Sequence, residues 1–183
     1  LAKSWITALC AVSALAVCAP QARAQELYTF TVSALAGIGG SVDADPGDGL
    51  EDTVFQLGAS MVTEPRTRVA VRAGELGLGG GDDFGPLTDA GLTYLNIAGE
   101  YHFYDSYYSP WVYLGLGGYR LEGDRRADGA TVDDTALGLA VGLVGEFNLT
   151  RRLDVLVELT GHWADFDDAQ VFATGQAGLA FHF

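Results

Sequence analysis

From Gln25 to the end, the chain is built of short segments in which apolar residues fall on every second position. No apolar run beyond the first 24 residues is long enough to cross a membrane as a helix. Successive side chains of a strand point to opposite faces, so each segment reads as a strand with one apolar face and one polar-to-small face. The first is the clearest. Tyr28, Phe30, Val32, Ala34, Ala36 and Ile38 share one face, and Thr29, Thr31, Ser33, Gly37 and Gly39 share the other. Seven further segments repeat the arrangement, with apolar faces that open on Phe55, Val69, Leu95, Val112, Leu137, Leu153 and Val171. Gly/Asp-rich or short polar breaks separate them, and the pattern predicts an all-β fold of eight antiparallel strands.

The environment of each face decides the class of protein. The apolar faces carry a single charge, Glu75, at a strand end. A cation at the middle of a bilayer costs about 2–4 kcal/mol, and near-total exclusion of charge is what that penalty predicts. The opposite faces mix Arg, Glu and His with many glycines, which suits a narrow lumen better than a solvated exterior. The expected architecture is an up-and-down transmembrane β-barrel, apolar outside and polar inside. Its connections alternate. Ser41–Asp52, Gly79–Gly91, Glu122–Asp134 and Ala164–Ala169 are long or acidic, whereas Thr63–Thr67, Asp105–Pro110 and Asn148–Arg152 are short. Short periplasmic turns facing longer extracellular loops are the rule for such barrels, and an even strand number leaves both termini in the periplasm.

The N-terminus fits this destination. Lys3, the apolar stretch Ile6–Val17 and the Ala22-Arg23-Ala24 site read as a secretory signal peptide over residues 1–24, cleaved before Gln25, with the barrel domain over 25–183. Cys10 and Cys18, the only cysteines, leave with it, so no disulfide is expected in the mature chain. The formal charge of −14 argues against nucleic acid as a partner, because phosphate recognition requires a basic face.

The last eight residues are Gln176-Ala177-Gly178-Leu179-Ala180-Phe181-His182-Phe183. With Gln176, Gly178, Phe181 and Phe183 in place, they resemble the C-terminal assembly signal of small outer-membrane β-barrels of the OmpA/OmpX-like type. The resemblance implies residence in a Gram-negative-type outer membrane, contact with its lipid and lipopolysaccharide, delivery by a barrel assembly machinery, and a monomeric state.

Three groups of residues are candidates for function. Arg68, Arg72, Glu100, Arg120, Glu146 and Glu158 are assigned to the lumen, where an eight-stranded barrel leaves just enough room for side chains. There they are expected to pair as a plug, because an unpaired buried charge is costly. Asp43, Asp45, Asp48 and Glu51, with Asp52, form an acidic first loop that offers hard oxygen ligands for Ca²⁺ or Mg²⁺, although the spacing is not that of an EF-hand. His162 heads the third group. Lipid A 3-O-deacylases resemble this chain in size and use a His-x-Ser pair, but here the window reads His162-Trp163-Ala164. A histidine cannot activate a hydroxyl that is absent, so no enzyme activity and no cofactor are expected. The leading expectation is a barrel with a plugged lumen and a structural or surface-interaction role. A narrow porin-like channel or small-solute carrier is the alternative, and a lipid A-modifying enzyme the least favoured.

Overall fold

The computed structural model describes residues 30–42, 52–78, 87–103, 108–125, 129–166 and 171–183. They form eight strands: β1 (Phe30–Ser41), β2 (Asp52–Glu64), β3 (Thr67–Leu78), β4 (Leu87–His102), β5 (Tyr108–Arg125), β6 (Thr131–Asn148), β7 (Leu153–Ala164) and β8 (Val171–His182). Each pairs antiparallel with its neighbours in the chain, and β1 pairs with β8 to close the barrel. Closure leaves no strand edge unpaired, which a bilayer demands because it offers backbone groups no water.

The alternation read from the sequence sets the facing. On β7, Asp154, Glu158 and Thr160 are buried while Val157 and Leu159 are exposed. Leu95, Ile97, Leu114, Leu116, Val141, Leu143 and Leu179 are likewise exposed on the outer wall, as a lipid-facing belt requires. Tyr101, Phe103, Phe181 and Phe183 ring the periplasmic edge of that belt, where aromatic girdles form.

Two of the longer connections differ from expectation. β4 begins at Leu87, within the connection read as Gly79–Gly91. The connection read as Glu122–Asp134 is largely strand, since β5 runs to Arg125 and β6 starts at Thr131. These two strands have 18 residues each, against about 9–11 needed to span a bilayer. Their hairpin therefore stands beyond the membrane on the extracellular side. Acidic composition pointed to a loop there, but a strand surrounded by water on its outer face accepts acids without penalty.

The interior has two layers. Toward the periplasm, Leu35, Ala70, Ala98, Trp111, Tyr113, Ala140, Val144, Leu156 and Ala180 pack among the buried charges. Toward the outside, Val54, Leu76, Leu78, Leu92, Tyr94, Tyr119, Leu121, Phe166 and Phe172 form a largely apolar cluster.

Candidate functional site in the barrel lumen

Inward glycines make room for large inward rings. A Cβ at Gly142 would land on the ring of Tyr113, one at Gly138 on Tyr119, and one at Gly74 on the Tyr94 hydroxyl end. Each tyrosine thus reaches across a wall of missing side chains, and the lumen fills without widening.

Arg72 sits at the centre. Its Nη1 donates to Glu158 Oε2 at 2.7 Å and its Nη2 to Glu100 Oε1 at 2.9 Å. The guanidinium also lies 4.0 Å from the Tyr113 ring centre and 5.2 Å from that of Trp111, within the range of cation–π attraction. Glu158 Oε1 accepts from Gln56 Nε2 at 3.1 Å and from Tyr113 Oη at 2.9 Å, while Tyr94 Oη donates to Gln56 Oε1 at 2.9 Å. The network ties β2, β3, β4, β5 and β7 together across the lumen. All of these residues are buried, so each charge is held by specific partners rather than by water.

A second group lies one layer closer to the periplasm. His182 bonds Asp154 Oδ2 through Nε2 at 2.6 Å and Thr31 Oγ1 through Nδ1 at 2.9 Å. Trp111 Nε1 donates to Glu146 Oε2 at 3.1 Å, and Arg68 Nη1 lies 3.7 Å from the same oxygen. His102 stacks on Trp111 with ring centres 5.2 Å apart. A cavity of about 20 Å³, lined in part by Thr31, Arg68 and Glu146, has room for about one water molecule.

Five of the six lumen assignments, Arg68, Arg72, Glu100, Glu146 and Glu158, are thus brought inside. Arg120 is not, and its assignment is corrected. Tyr119 occupies the inward position of β5, so its neighbour Arg120 must point outward. Arg120 is exposed on the extracellular hairpin, where it binds Asp133 through Nε at 2.8 Å and Nη2 at 2.6 Å and meets Glu122 at 2.6 Å. These hydrogen bonds hold the Asp133 carboxyl below the usual carboxylate range and raise the Arg120 guanidinium. Tyr94 and Trp111 are not among the residues the sequence singles out, although both share lumen parity with Asn96 and Tyr113. Asp154 and His182 have inward parity too, but the sequence does not join them to the charge network. Nothing in their spacing along the chain says that β7 and β8 bring them together.

His162 also lies in the lumen, buried between aromatic rings, with Nδ1 3.1 Å from the Tyr119 hydroxyl and its ring 4.7 Å from that of Tyr94. Ala164 is fully buried as well. Asp43, Asp45, Asp48 and Glu51 fall outside the described residues, as does segment 1–24, which the sequence reads as a signal peptide.

In the C-terminal motif, Phe181 and Phe183 face outward with ring centres 4.9 Å apart, edge to face. Gly178 faces inward, where a Cβ would strike the Ala34 carbonyl across the closing seam. Gln176 is buried and donates to Thr174 at 3.2 Å. The motif therefore holds two outward aromatic anchors, one obligatory small residue and one buried amide.

Known proteins place this architecture. Residues 7–183 match the family described as outer membrane protein beta-barrel domain. Neisserial surface protein A superposes with a TM-score of 0.67 at 18% identity, covering 84% of this chain and 97% of that one. Ail, the attachment invasion locus protein of Yersinia pestis, gives 0.55 at 15% identity over 85% and 97%. The outer membrane enzyme PagL gives 0.52 at 16% identity over 84% and 99%. At these identities the likeness is one of fold, and the fold is shared by an enzyme and by proteins of other kinds. No curated protein matches the chain in sequence. With a family model that spans nearly its full length and a closed eight-stranded barrel that is apolar outside and charged within, the chain belongs to the outer membrane protein beta-barrel domain family.

Proposed function

We propose that this protein is a non-catalytic barrel of the outer membrane, monomeric and closed to solutes, with a structural or surface-interaction role in the envelope. The single observation that carries this reading is the pair of side-chain layers across the lumen. Arg72, held by Glu100 and Glu158 under Tyr113, blocks the inner half, and the apolar cluster around Leu76, Leu92 and Phe172 blocks the outer half. A conducting pore needs a continuous wet path, and a layer of paired charges stacked on an apolar layer opposes one. A lipid-modifying role is disfavoured by His162, which is enclosed among Tyr94 and Tyr119 and has Ala164 where a nucleophile would stand. On this reading the C-terminal aromatics serve recognition by the assembly machinery, residues 1–24 serve export, and the acidic loop Asp43–Glu51 meets lipopolysaccharide through Ca²⁺ or Mg²⁺.

Planar-bilayer recording of the purified protein tests the proposal. The expected trace shows no discrete conductance steps. Reproducible unitary steps, lost or enlarged in Arg72→Met, would replace the closed barrel by a narrow channel.

A further inference from the structure

The buried charges of the lumen do not balance. Among the described residues, four buried carboxylates (Glu100, Glu146, Asp154 and Glu158) face two guanidiniums, Arg68 and Arg72. With the histidines neutral, the excess is two negative charges, in an environment where uncompensated charge is expensive. Much of the excess sits in the periplasmic layer. Glu146 and Asp154 come together there with Arg68 as the nearby guanidinium, and Arg68 approaches Glu146 no closer than 3.7 Å.

That same layer holds a ligand set. One atom from each of Glu146, Asp154 and His182 lies within 4.8 Å of the other two, and all three residues are buried. The separations are at most 4.8 Å, and His182 Nε2 already lies 2.6 Å from Asp154 Oδ2, so small side-chain shifts would let an ion replace the proton between them and take the 2.0–2.2 Å of Zn–N and Zn–O bonds. The surroundings orient the donors. Thr31 holds His182 Nδ1 at 2.9 Å, which turns Nε2 toward the carboxylates. Trp111 and Arg68 address Oε2 of Glu146 and leave Oε1 to another partner. Partners of this kind, on the far side of a ligand, fix ring orientation and tautomer in metal sites. The adjoining cavity, with room for about one water, could supply a further ligand.

We propose that Glu146, Asp154 and His182 form a binding site for a divalent transition-metal ion of the zinc type at the periplasmic mouth of the barrel. One imidazole with two carboxylates favours such ions over Ca²⁺ and Mg²⁺, which take all-oxygen sites. A dication there cancels the lumen's excess charge. This site is separate from the acidic first loop and does not depend on whether the barrel conducts.

The test uses Co²⁺, whose d–d absorption reports nitrogen and oxygen ligation, on the full mature chain folded in detergent micelles. Saturable binding of one equivalent is expected, with visible bands displaced by Zn²⁺ but not by millimolar Mg²⁺. His182→Gln and Asp154→Asn should each weaken the affinity at least tenfold. Thr31→Val, which touches only the orientation of the ring, should weaken it less. Failure of millimolar Co²⁺ to develop bands beyond those of the hexaaqua ion would overturn the site and leave a shared proton as what relieves the carboxylate pair. Binding that survives His182→Gln unchanged would also overturn it and assign the ion to the loops. Should a variant fail to fold, the wild-type spectrum and its stoichiometry decide alone.

Discussion

The wall of this barrel follows opposite rules at its two ends. Through the membrane belt, outward positions are Ile97, Leu114, Leu116, Val141 and Val157, while inward ones are Arg72, Glu100 and Glu158. At the extracellular ends of β3, β4 and β5 the assignment inverts. Outward positions become Glu75, Gly77, Thr93, Arg120 and Glu122, and inward ones become Leu76, Leu78, Leu92 and Leu121. Over these positions the period of two is kept, and only the solvent changes. Where lipid surrounds the barrel, the polar groups must satisfy one another inside. Where water surrounds it, the same strands bury their apolar side, as a soluble barrel does. One sheet is thus two kinds of barrel end to end, and the crossover marks the outer boundary of the bilayer.

The largest expected effect tests the polar interior. Arg72→Met leaves Glu100 and Glu158 buried without their cation and should cost about 3–5 kcal/mol in urea unfolding from lipid vesicles. Adding Glu100→Leu and Glu158→Leu turns that layer into an apolar one like the layer above it, and should restore much of the loss. If the single variant unfolds like wild type, the inner layer is not what holds the lumen together.

A smaller effect tests the boundary directly. Leu116→Arg places a cation in the lipid belt and should cost about 2–4 kcal/mol. Thr93→Arg, outward on the adjacent strand and flanked across the sheet by Glu75 and Arg120, should change stability by no more than about 0.5 kcal/mol. Equal penalties at the two positions would push the membrane boundary beyond the inversion.

The smallest effect concerns the extracellular hairpin. Asp133 is held below its ordinary range by Arg120, so its contribution is present above the unfolded carboxylate value, about 4, and is lost as acidification passes through the lower folded value. The pair is exposed, so global stability should hardly move on Asp133→Asn. Hydrogen exchange confined to the tips of β5 and β6 should rise in the variant at neutral pH, and in the wild type only under acid. Equal exchange in both at neutral pH would show that the paired backbone alone holds the hairpin.

How much of this was legible in the sequence divides at the same boundary. Strand number, closure and the facing of β7 follow from alternation, because lipid allows no charge on one face and therefore labels it. Arg120 was misplaced because a charge was taken as a mark of the lumen. Beyond the membrane that label inverts, and parity with Tyr119 was the signal that remained valid. The apolar outer layer was hidden for the same reason, since inward leucines look like lipid-facing ones until their neighbours on the other face are weighed. The meeting of Asp154 with His182 and of Arg72 with Glu158 depends on register between distant strands, which spacing along the chain does not carry.

The seam between β1 and β8 has a consequence for the order of events in the life of the chain. Thr31 meets His182 across 151 residues, and the amide of the last residue, Phe183, donates to the carbonyl of Phe30. β1, made before the other seven strands of the barrel, must therefore wait for β8 before its second edge is covered. Until then it is an open template for any other extended chain. A chain whose barrel has not yet closed is therefore exposed to aggregation along that edge. That exposure lasts at least until β8 arrives, and β1 is the strand that an escort in transit would have to guard.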